Sequence, residues 1–485
     1  MTSPKDVRKR KIKNLTKKRA IPASFMLTVV NTNEEQAGGA ASRRRKSAGP
    51  NAAAKGLPRR LKLSFLCLVL SATLLLLFFG VYMDSTSPFL VRLASKLGYT
   101  RNQFAVIIDA GSTGSRVLAY KFDRSFIDNK LVLSEELFKE RKPGLSSFAE
   151  NPAQGAHSIK LLLDDAKAFI PKEKWASTPL VLKATAGLRL LPQHKADNIL
   201  NSVRELFGKS EFSVEPDAVE IMDGTDEGIF SWFTVNFLLG RLSKSNQAAA
   251  LDLGGGSTQV TFAPTDPDQL PLYDKYMHEV NTLNRQINVF THSYLGLGLM
   301  AARHSVFTKD YKKDVSDIET VCVNPIINNR TWTYGNVEYT ISGKPNTKST
   351  AEEPVVDLEQ CLEAIKTQVL PLVKPKPFTL KQHTVAAFSY YFERAIESGL
   401  IDPFQGGEIT ISAYRKKAEE ICSIANDEQP FMCFDLTYIS VLLREGFGLG
   451  DSKKIKLYKK IDGHEISWAL GCAYNVLTSV EKYNA

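Results

Sequence analysis

Two short segments rich in glycine, serine and threonine each follow an apolar run that ends in aspartate. Asp109 ends the first run and precedes residues 111–115, and Asp252 ends the second and precedes residues 254–257. A second apolar run follows each segment, so both patterns predict a β-hairpin with a tight turn. The recurrence predicts two related lobes, each presenting one turn to a shared cleft.

The chemistry available to such turns is phosphate and metal binding. Turns built of glycine, serine and threonine expose several backbone N–H groups and add hydroxyl donors, which suits phosphate oxygens. An ionised aspartate only accepts hydrogen bonds and therefore suits Mg²⁺ or Ca²⁺. Either turn alone is an ordinary hairpin connection. The matching positions of Asp109 and Asp252 favour a clamp for a di- or triphosphate and its cation.

Other catalytic motifs are missing or incomplete. Gly208-Lys209-Ser210 resembles the end of a Walker loop, but Val203 stands where its first glycine belongs. The glycines at 296 and 298 do not have dinucleotide-binding spacing. The seven histidines show no pairing typical of zinc sites. Ser257 follows three glycines but lacks the glycine that would complete a hydrolase nucleophile elbow.

The positive charge of the chain is concentrated at its N-terminus. The net charge is +10, yet the first 63 residues hold 17 of the 62 Lys and Arg and only 3 of the 52 Asp and Glu. The remainder is slightly acidic, so we expect no nucleic-acid partner for the folded part. Residues 1–62 are polar, without apolar periodicity, and are predicted to be a disordered cytoplasmic tail.

A membrane anchor is predicted for residues 63–83, which contain no charged residue. As a helix this segment would reach about 31 Å, enough to cross the hydrocarbon core. The basic region before it is too long for a cleaved signal peptide. Arg59, Arg60 and Lys62 precede the segment and Asp84 follows it, so the positive-inside rule predicts a single-pass type II protein. Residues 84–101 would form a stalk, and residues 84–485 would be lumenal or extracellular.

The cysteines agree with an oxidising compartment. Four of the five beyond the anchor can pair, and the sequence alone does not fix the pairing. Local loop closure favours Cys322–Cys361 and Cys422–Cys433, with Cys472 left as a buried thiol. Asn329 heads the one glycosylation sequon on the predicted lumenal side, and Asn14 heads another in the tail.

Strand-like runs alternate with helical stretches from residue 103 onward, which indicates an α/β fold. Strands are predicted at 104–108, 117–122, 180–185, 248–253 and 259–263, and helices at 155–169, 195–207, 227–239 and 359–370.

Five stretches resemble, in order, the apyrase-conserved regions of the ecto-nucleoside triphosphate diphosphohydrolase (apyrase) family. They cover residues 106–120, 183–191, 221–239, 249–262 and 467–472. Within the family the single anchor is most similar to the intracellular branch that holds mammalian member six and the Golgi guanosine diphosphatases. The resemblance implies an actin-like fold, an RNase H-like duplication in two lobes. We expect lobe I at 102–223 plus 457–485, and lobe II at 224–456.

The resemblance also implies a role for individual residues. Glu227 would be the general base, with Asp226 as its competitor, and Ser257 would hold the attacking water. Asp109 and Asp252 would bind the cation, Mg²⁺ or Ca²⁺, and Gln259 would orient its water. Phosphate would be bound by Ser112, Thr113, Gly114, Ser115, Gly254, Gly255 and Gly256, with Thr185 near the water. Tyr390, in the aromatic run 388–392, would contact the base, although core packing explains that run equally well.

The expected activity is therefore hydrolysis of the terminal phosphate of nucleoside diphosphates, with GDP, UDP and IDP preferred, by a monomer in the Golgi lumen. Two other enzymatic activities stay open: a broad-specificity surface or secreted apyrase acting on ATP and ADP, and a kinase of the same superfold. A nucleotide-binding protein without turnover is the non-enzymatic alternative.

Overall fold

A computed structural model describes residues 59–82, 101–124, 131–266, 273–282, 286–312, 315–335, 337–404 and 406–484. The predicted tail, apart from residues 59–62, and nearly all of the predicted stalk lie outside the described residues. The chain divides into two compact units, Met1–Ala72 and Thr73–Ala485. The second unit contains both predicted hairpins.

The strands and helices are numbered in chain order. The strands are β1 Arg101–Ala110, β2 Ser115–Arg124, β3 Leu131–Arg141, β4 Leu180–Ala184, β5 Val219–Ile221, β6 Ala249–Leu253, β7 Ser257–Phe262, β8 Met277–Asn281, β9 Gln286–Leu295, β10 Asp317–Thr320, β11 Arg330–Tyr334, β12 Val337–Gly343, β13 Val385–Ser389, β14 Gly407–Thr410, β15 Lys454–Leu457, β16 Lys460–Ile461 and β17 His464–Glu465. The α-helices are α1 Arg59–Tyr82, α2 Pro152–Phe169, α3 Ala186–Arg189, α4 Gln193–Phe207, α5 Gly224–Leu238, α6 Leu299–Phe307, α7 Leu358–Val369, α8 Tyr390–Glu397, α9 Ile411–Cys422, α10 Met432–Val441 and α11 Trp468–Asn484. Short 3₁₀ turns lie at Leu145–Phe148, Lys172–Ser177, Asp274–Tyr276, Leu370–Leu372 and Leu380–Gln382, and a π-helical turn lies at Leu442–Gly446.

The first sheet has the strand order β3-β2-β1-β4-β5. Strands β1, β2 and β3 pair antiparallel, whereas β4 and β5 continue from β1 in parallel. The central strand β1 is buried over most of its length, which explains its continuous apolar sequence. Helices α2 and α4 cover one face of the sheet, and α11 covers the other.

The second sheet repeats this arrangement. Its order is β14-β15-β13-β6-β7-β9-β8. Strands β6, β7 and β9 pair antiparallel, and β13 and β15 continue from β6 in parallel. Strands β6 and β7 therefore occupy the places that β1 and β2 hold in the first sheet. The predicted duplication of the hairpin is present, and Asp109 and Asp252 occupy matching positions, each one residue before the end of its strand.

Helix α5 packs against elements of both sheets. Phe230 and Phe237 contact the apolar cluster of the first sheet, whereas Trp232 and Val235 are buried in a cluster of the second. This double burial explains why α5 is apolar around most of its circumference. Its first turn carries Glu227, so packing on two sides fixes the position of that residue.

Helix α1 covers the predicted anchor, and its described apolar side chains are exposed, Leu74, Leu75 and Leu76 among them. Over the part of the chain that the structure describes, no helix meets the length and hydropathy expected of a membrane span.

Both favoured disulfides are present, Cys322–Cys361 and Cys422–Cys433. Cys472 is a buried free thiol, as predicted. Asn329 is exposed immediately before β11, where a glycan would be accessible.

Candidate active site

The two predicted turns meet in one cleft. A Cβ atom placed on Gly255 would lie 2.4 Å from Ser112 Oγ and 2.9 Å from Thr113 Cγ2, so the turns contact each other through a position without a side chain. The cleft between them has a volume of about 260 Å³ and is lined mainly by polar groups. Hairpins from two separate sheets thus form the two walls of one site.

The N-terminus of α6 forms hydrogen bonds with carbonyl groups of the second turn. Backbone amides at the start of α6 donate to the carbonyls of Gly254 and Gly255, and Gly296 N donates to the carbonyl of Gly256 at 2.8 Å. Three consecutive carbonyl oxygens are therefore bonded on the side of the turn away from the cleft. A phosphate oxygen approaching the turn is spared the repulsion that those carbonyls would otherwise exert.

Most of the predicted site residues line this cleft. They are Asp109, Ser112, Thr113, Thr185, Glu227, Asp252, Gly254, Gly255, Gly256, Ser257 and Tyr390. Gly114, Ser115 and Gln259 are not among its lining residues. Ser115 is buried at the start of β2, and a Cβ atom on Gly114 would meet Glu140 on β3. Gln259 lies behind Ser257 and donates to Ser257 Oγ at 2.9 Å.

Glu227 is a buried carboxylate that faces the cleft. Its exposed fraction is 7%, and burial raises its pKa to about 7, while Arg189 opposes the rise and Asp252 adds to it. Arg189 forms an ion pair with Glu227. A carboxylate with a pKa near neutrality suits general-base catalysis. Asp226, its sequence competitor, is exposed and is not among the residues that line the cleft.

The two aspartates carry buried oxygens that lack partners. Asp109 Oδ1 and Asp252 Oδ1 accept no hydrogen bond, and both residues are 8% exposed. Burial raises the pKa of Asp252 to about 6, and burial also raises the pKa of Asp109. Unpaired buried carboxylate oxygens are costly, so a cation between them would relieve both.

These residues fit a hard divalent cation. Among the described residues no cluster of three or more His, Cys, Asp or Glu side chains is arranged to hold a metal. Mg²⁺ does not need one, because it commonly binds through one or two carboxylates and completes its shell with water and substrate phosphates. Asp109 and Asp252 supply such a pair.

Several contacts in the site were not predicted from the sequence. Arg189 lies in the second apyrase-like stretch, 183–191, and was given no role above, yet it contacts both Glu227 and Ser293 Oγ, the latter at 3.5 Å. Ser293 also accepts from Gln259 at 2.9 Å, and no local pattern marks it. Arg116 contacts Asp109 Oδ2 at 3.4 Å and Glu140 Oε1 at 2.7 Å. The contacts of Arg189 join the separate elements α3, α5 and β9, whereas those of Arg116 follow from the pairing of β2 with β1 and β3.

Residues 96–484 match the GDA1/CD39 (nucleoside phosphatase) family. The chain belongs to this family. It is therefore a hydrolase of nucleotide phosphoanhydride bonds, and such enzymes depend on a divalent cation.

Relatives within the family cover most of the chain. The nucleoside diphosphate phosphatase ENTPD5 of Homo sapiens is 38% identical over 414 residues, which is 83% of this chain and 92% of the relative. Ectonucleoside triphosphate diphosphohydrolase 6 of Homo sapiens is 38% identical over 388 residues, 78% of each chain.

A solved structure shows the same fold. Nucleoside triphosphate hydrolase from Neospora caninum matches with a TM-score of 0.54 at 14% identity, covering 82% of this chain and 97% of that one. The actin-like α/β fold expected from the sequence is thereby confirmed.

Proposed function

We propose that the chain hydrolyses the terminal phosphate of nucleoside diphosphates, with GDP, UDP and IDP preferred over ATP. The observation that carries the proposal is the meeting of the two phosphate turns in one cleft that also holds Glu227. The human relative named nucleoside diphosphate phosphatase supports the diphosphate preference.

Activation of the water is assigned to Glu227, which accepts the proton, and to Ser257, which holds the water. Because Gln259 Nε2 donates to Ser257 Oγ, the Ser257 hydroxyl is left to donate its own hydrogen to a water in the cleft. That water would donate to Glu227, which accepts its proton as the water oxygen attacks the terminal phosphorus in line. The bond from that phosphorus to the bridging oxygen breaks, and the bridging oxygen leaves with the nucleoside monophosphate. Thr185 also lines the cleft and would help to confine the water.

The substrate would be held by the two turns. Ser112, Thr113 and the glycines at 254–256 offer amides and hydroxyls to the phosphate oxygens. Asp109 and Asp252 would hold Mg²⁺ or Ca²⁺, which neutralises phosphate charge when bound. Tyr390 lines the cleft and would contact the base, with the Arg394 guanidinium 5.6 Å from its ring centre.

We propose that residues 63–83 anchor the protein in the Golgi membrane and that residues 84–485 are lumenal. The support is the 21-residue stretch without charge and the basic residues before it. Glycosyltransferases release nucleoside diphosphates in that compartment, so a diphosphatase there has a substrate. We also propose that the protein is a monomer, with lobe I at 102–223 plus 457–485 and lobe II at 224–456.

A substrate panel on the purified full-length chain tests this function. We expect kcat/KM for GDP or UDP to exceed that for ATP by at least about tenfold, which corresponds to ~1.4 kcal/mol of transition-state binding. Phosphate release is measured with Mg²⁺ or Ca²⁺ and with no phosphate acceptor. Equal or better use of ATP would favour a broad-specificity apyrase, and failure to release phosphate would favour a kinase.

A further inference from the structure

Ser293 on β9 lies next to the cleft without lining it. Its side chain is half-buried, and it is not among the residues that line the cleft. Strand pairing places it directly opposite Gln259 of β7. Side chains of directly opposite residues on two antiparallel strands lie on the same face of the sheet, within reach of each other. The pairing of β7 with β9 therefore brings these two side chains together.

The amide nitrogen of Gln259 donates hydrogen bonds to two serines. Gln259 Nε2 is 2.9 Å from Ser257 Oγ and 2.9 Å from Ser293 Oγ. A side-chain amide nitrogen carries two hydrogens, so both have a partner. Gln259 is 1% exposed, so water does not readily replace either partner. Ser293 is thus the second point at which the amide is held.

Ser293 also lies near the residue that pairs with the proposed base. Arg189 Nη1 is 3.5 Å from Ser293 Oγ, and Arg189 Nη2 pairs with Glu227. A hydrogen bond of 3.5 Å is long and weak, whereas the bond from Gln259 has the usual length. The geometry therefore favours an effect of Ser293 through Gln259 over an effect through Arg189.

We propose that Ser293 is a positioning residue for hydrolysis: it holds the Gln259 amide against Ser257, so that the Ser257 hydroxyl donates its hydrogen to the attacking water. The inference rests on the role proposed above for Ser257. Glutamine is a flexible side chain, and one hydrogen bond alone would leave its amide free to move. Displacing a positioned group by about 1 Å can slow a reaction about 100-fold.

Ser293→Ala removes the second hydrogen-bond acceptor without adding an atom. We expect kcat to fall at least about tenfold while KM changes less than about twofold, because the turns that bind phosphate are not altered. Phosphate release by the purified full-length chain is measured with Mg²⁺ and GDP, or ATP if the wild type prefers it. A kcat within about twofold of wild type would overturn the inference.

The pH dependence separates the two routes by which Ser293 could act. The ion pair of Arg189 with Glu227 remains in Ser293→Ala, so the decline of kcat/KM at low pH should keep its midpoint at about 7. A displaced midpoint would show that Ser293 acts through Arg189, which contradicts the proposal.

A double-mutant cycle tests whether the effect passes through Gln259. If it does, adding Ser293→Ala to Gln259→Ala should change kcat less than about twofold, since the link is already broken. A loss as large as in the wild-type background would show that Ser293 acts independently of Gln259, and the proposal would fail.

Thr291→Ala is the matched control. Thr291 faces Thr261 on the same two strands, and their hydroxyl oxygens are 2.7 Å apart. The substitution should lower Tm and leave kcat unchanged; a loss of kcat equal to that in Ser293→Ala would attribute the effect to weaker strand pairing. Ser257→Ala distinguishes the two levels: unchanged kcat there would refute the role of Ser257 itself, whereas a loss there with normal kcat in Ser293→Ala would refute only the positioning role.

Discussion

Glu227 shows how surroundings convert an ordinary side chain into a base. Its position near the start of α5 favours the ionised form, since the helix dipole is positive there. Burial acts in the opposite direction and is the larger effect, so the pKa rises to about 7. Arg189 pairs with the carboxylate and limits that rise. The result is a base that is half-protonated near neutral pH.

Replacing Glu227 by glutamine tests its role directly. Glutamine keeps the shape but cannot accept a proton, so kcat should fall by at least about 100-fold, within the range usual for loss of a general base. Binding of a non-hydrolysable nucleotide with Mg²⁺ should change little. Asp226→Asn is the matched control and should retain most of the activity. A Glu227→Gln rate above about a tenth of wild type would rule out the assignment.

Arg189→Gln should change the pH dependence of the reaction. The charge of Arg189 lowers the pKa of Glu227, so its removal raises that pKa. Since the ionised carboxylate is the active form, wild-type kcat/KM should decline as pH falls through about 7. The decline in Arg189→Gln should begin at higher pH. A pH series of kcat/KM measures the shift, with Arg415→Gln on α9 as a surface control. An unchanged or lower midpoint contradicts the proposed coupling.

At the scale of elements, close backbone approach decides whether the hairpins can form one site. Gly255 lies against Ser112 and Thr113. Gly298, which precedes α6, lies against the second turn, since a Cβ atom there would be 2.4 Å from Gly255 C. Glycine at these positions allows contacts that any side chain would block. The turns are therefore shaped by what packs against them as well as by their own sequence.

Gly255→Ala should separate the two turns. The added Cβ atom would clash with Ser112 Oγ, so the clamp would open and kcat/KM should fall at least about tenfold, because small displacements of positioned groups are costly. Gly450→Ala is the control, since nothing lies within 4 Å of a Cβ atom there. Steady-state kinetics of both variants measure the effect. Equal activity in the two would show that the contact is not needed.

At the scale of the whole molecule, the disulfides, the exposed apolar helix α1 and the basic N-terminus favour three different environments: an oxidising compartment, a membrane and the cytoplasm. Both disulfides lie in the unit that contains the two sheets, as expected in an oxidising compartment. Leu74, Leu75 and Leu76 of α1 expose most of their surface. In the proposed topology lipid would cover those side chains, and the N-terminal basic residues would remain in the cytoplasm.

The proposed topology predicts which sequon is used. If residues 84–485 are lumenal, Asn329 should carry a glycan and Asn14 should not. Expression of the full chain in cells followed by glycosidase treatment should therefore shift the mass of wild type and Asn14→Gln, but not of Asn329→Gln. A shift that persists in Asn329→Gln and disappears in Asn14→Gln would reverse the orientation.

Local patterns were sufficient for much of the fold. The apolar runs on either side of the two turns rich in glycine, serine and threonine predicted β1, β2, β6 and β7. Such strands can be predicted because the strand period and the turn depend on residues that are neighbours in sequence. The recurrence of an aspartate at two strand ends was enough to infer the duplication. Loop closure likewise favoured the two disulfides that form, since each joins cysteines that follow one another along the chain.

Tertiary structure decided which of the motif residues face the cleft and what environment they have. Gly114, Ser115 and Gln259 belong to the motifs, yet none of them lines the cleft: Ser115 and Gln259 are in paired strands, and Gly114 lies against Glu140. The ion pair of Arg189 with Glu227 joins α3, the helix that follows β4, to α5. Sequence spacing cannot reveal such pairs, because they depend on how separate elements pack. The raised pKa of Glu227 has the same origin: burial by distant residues removes the water that would stabilise its charge.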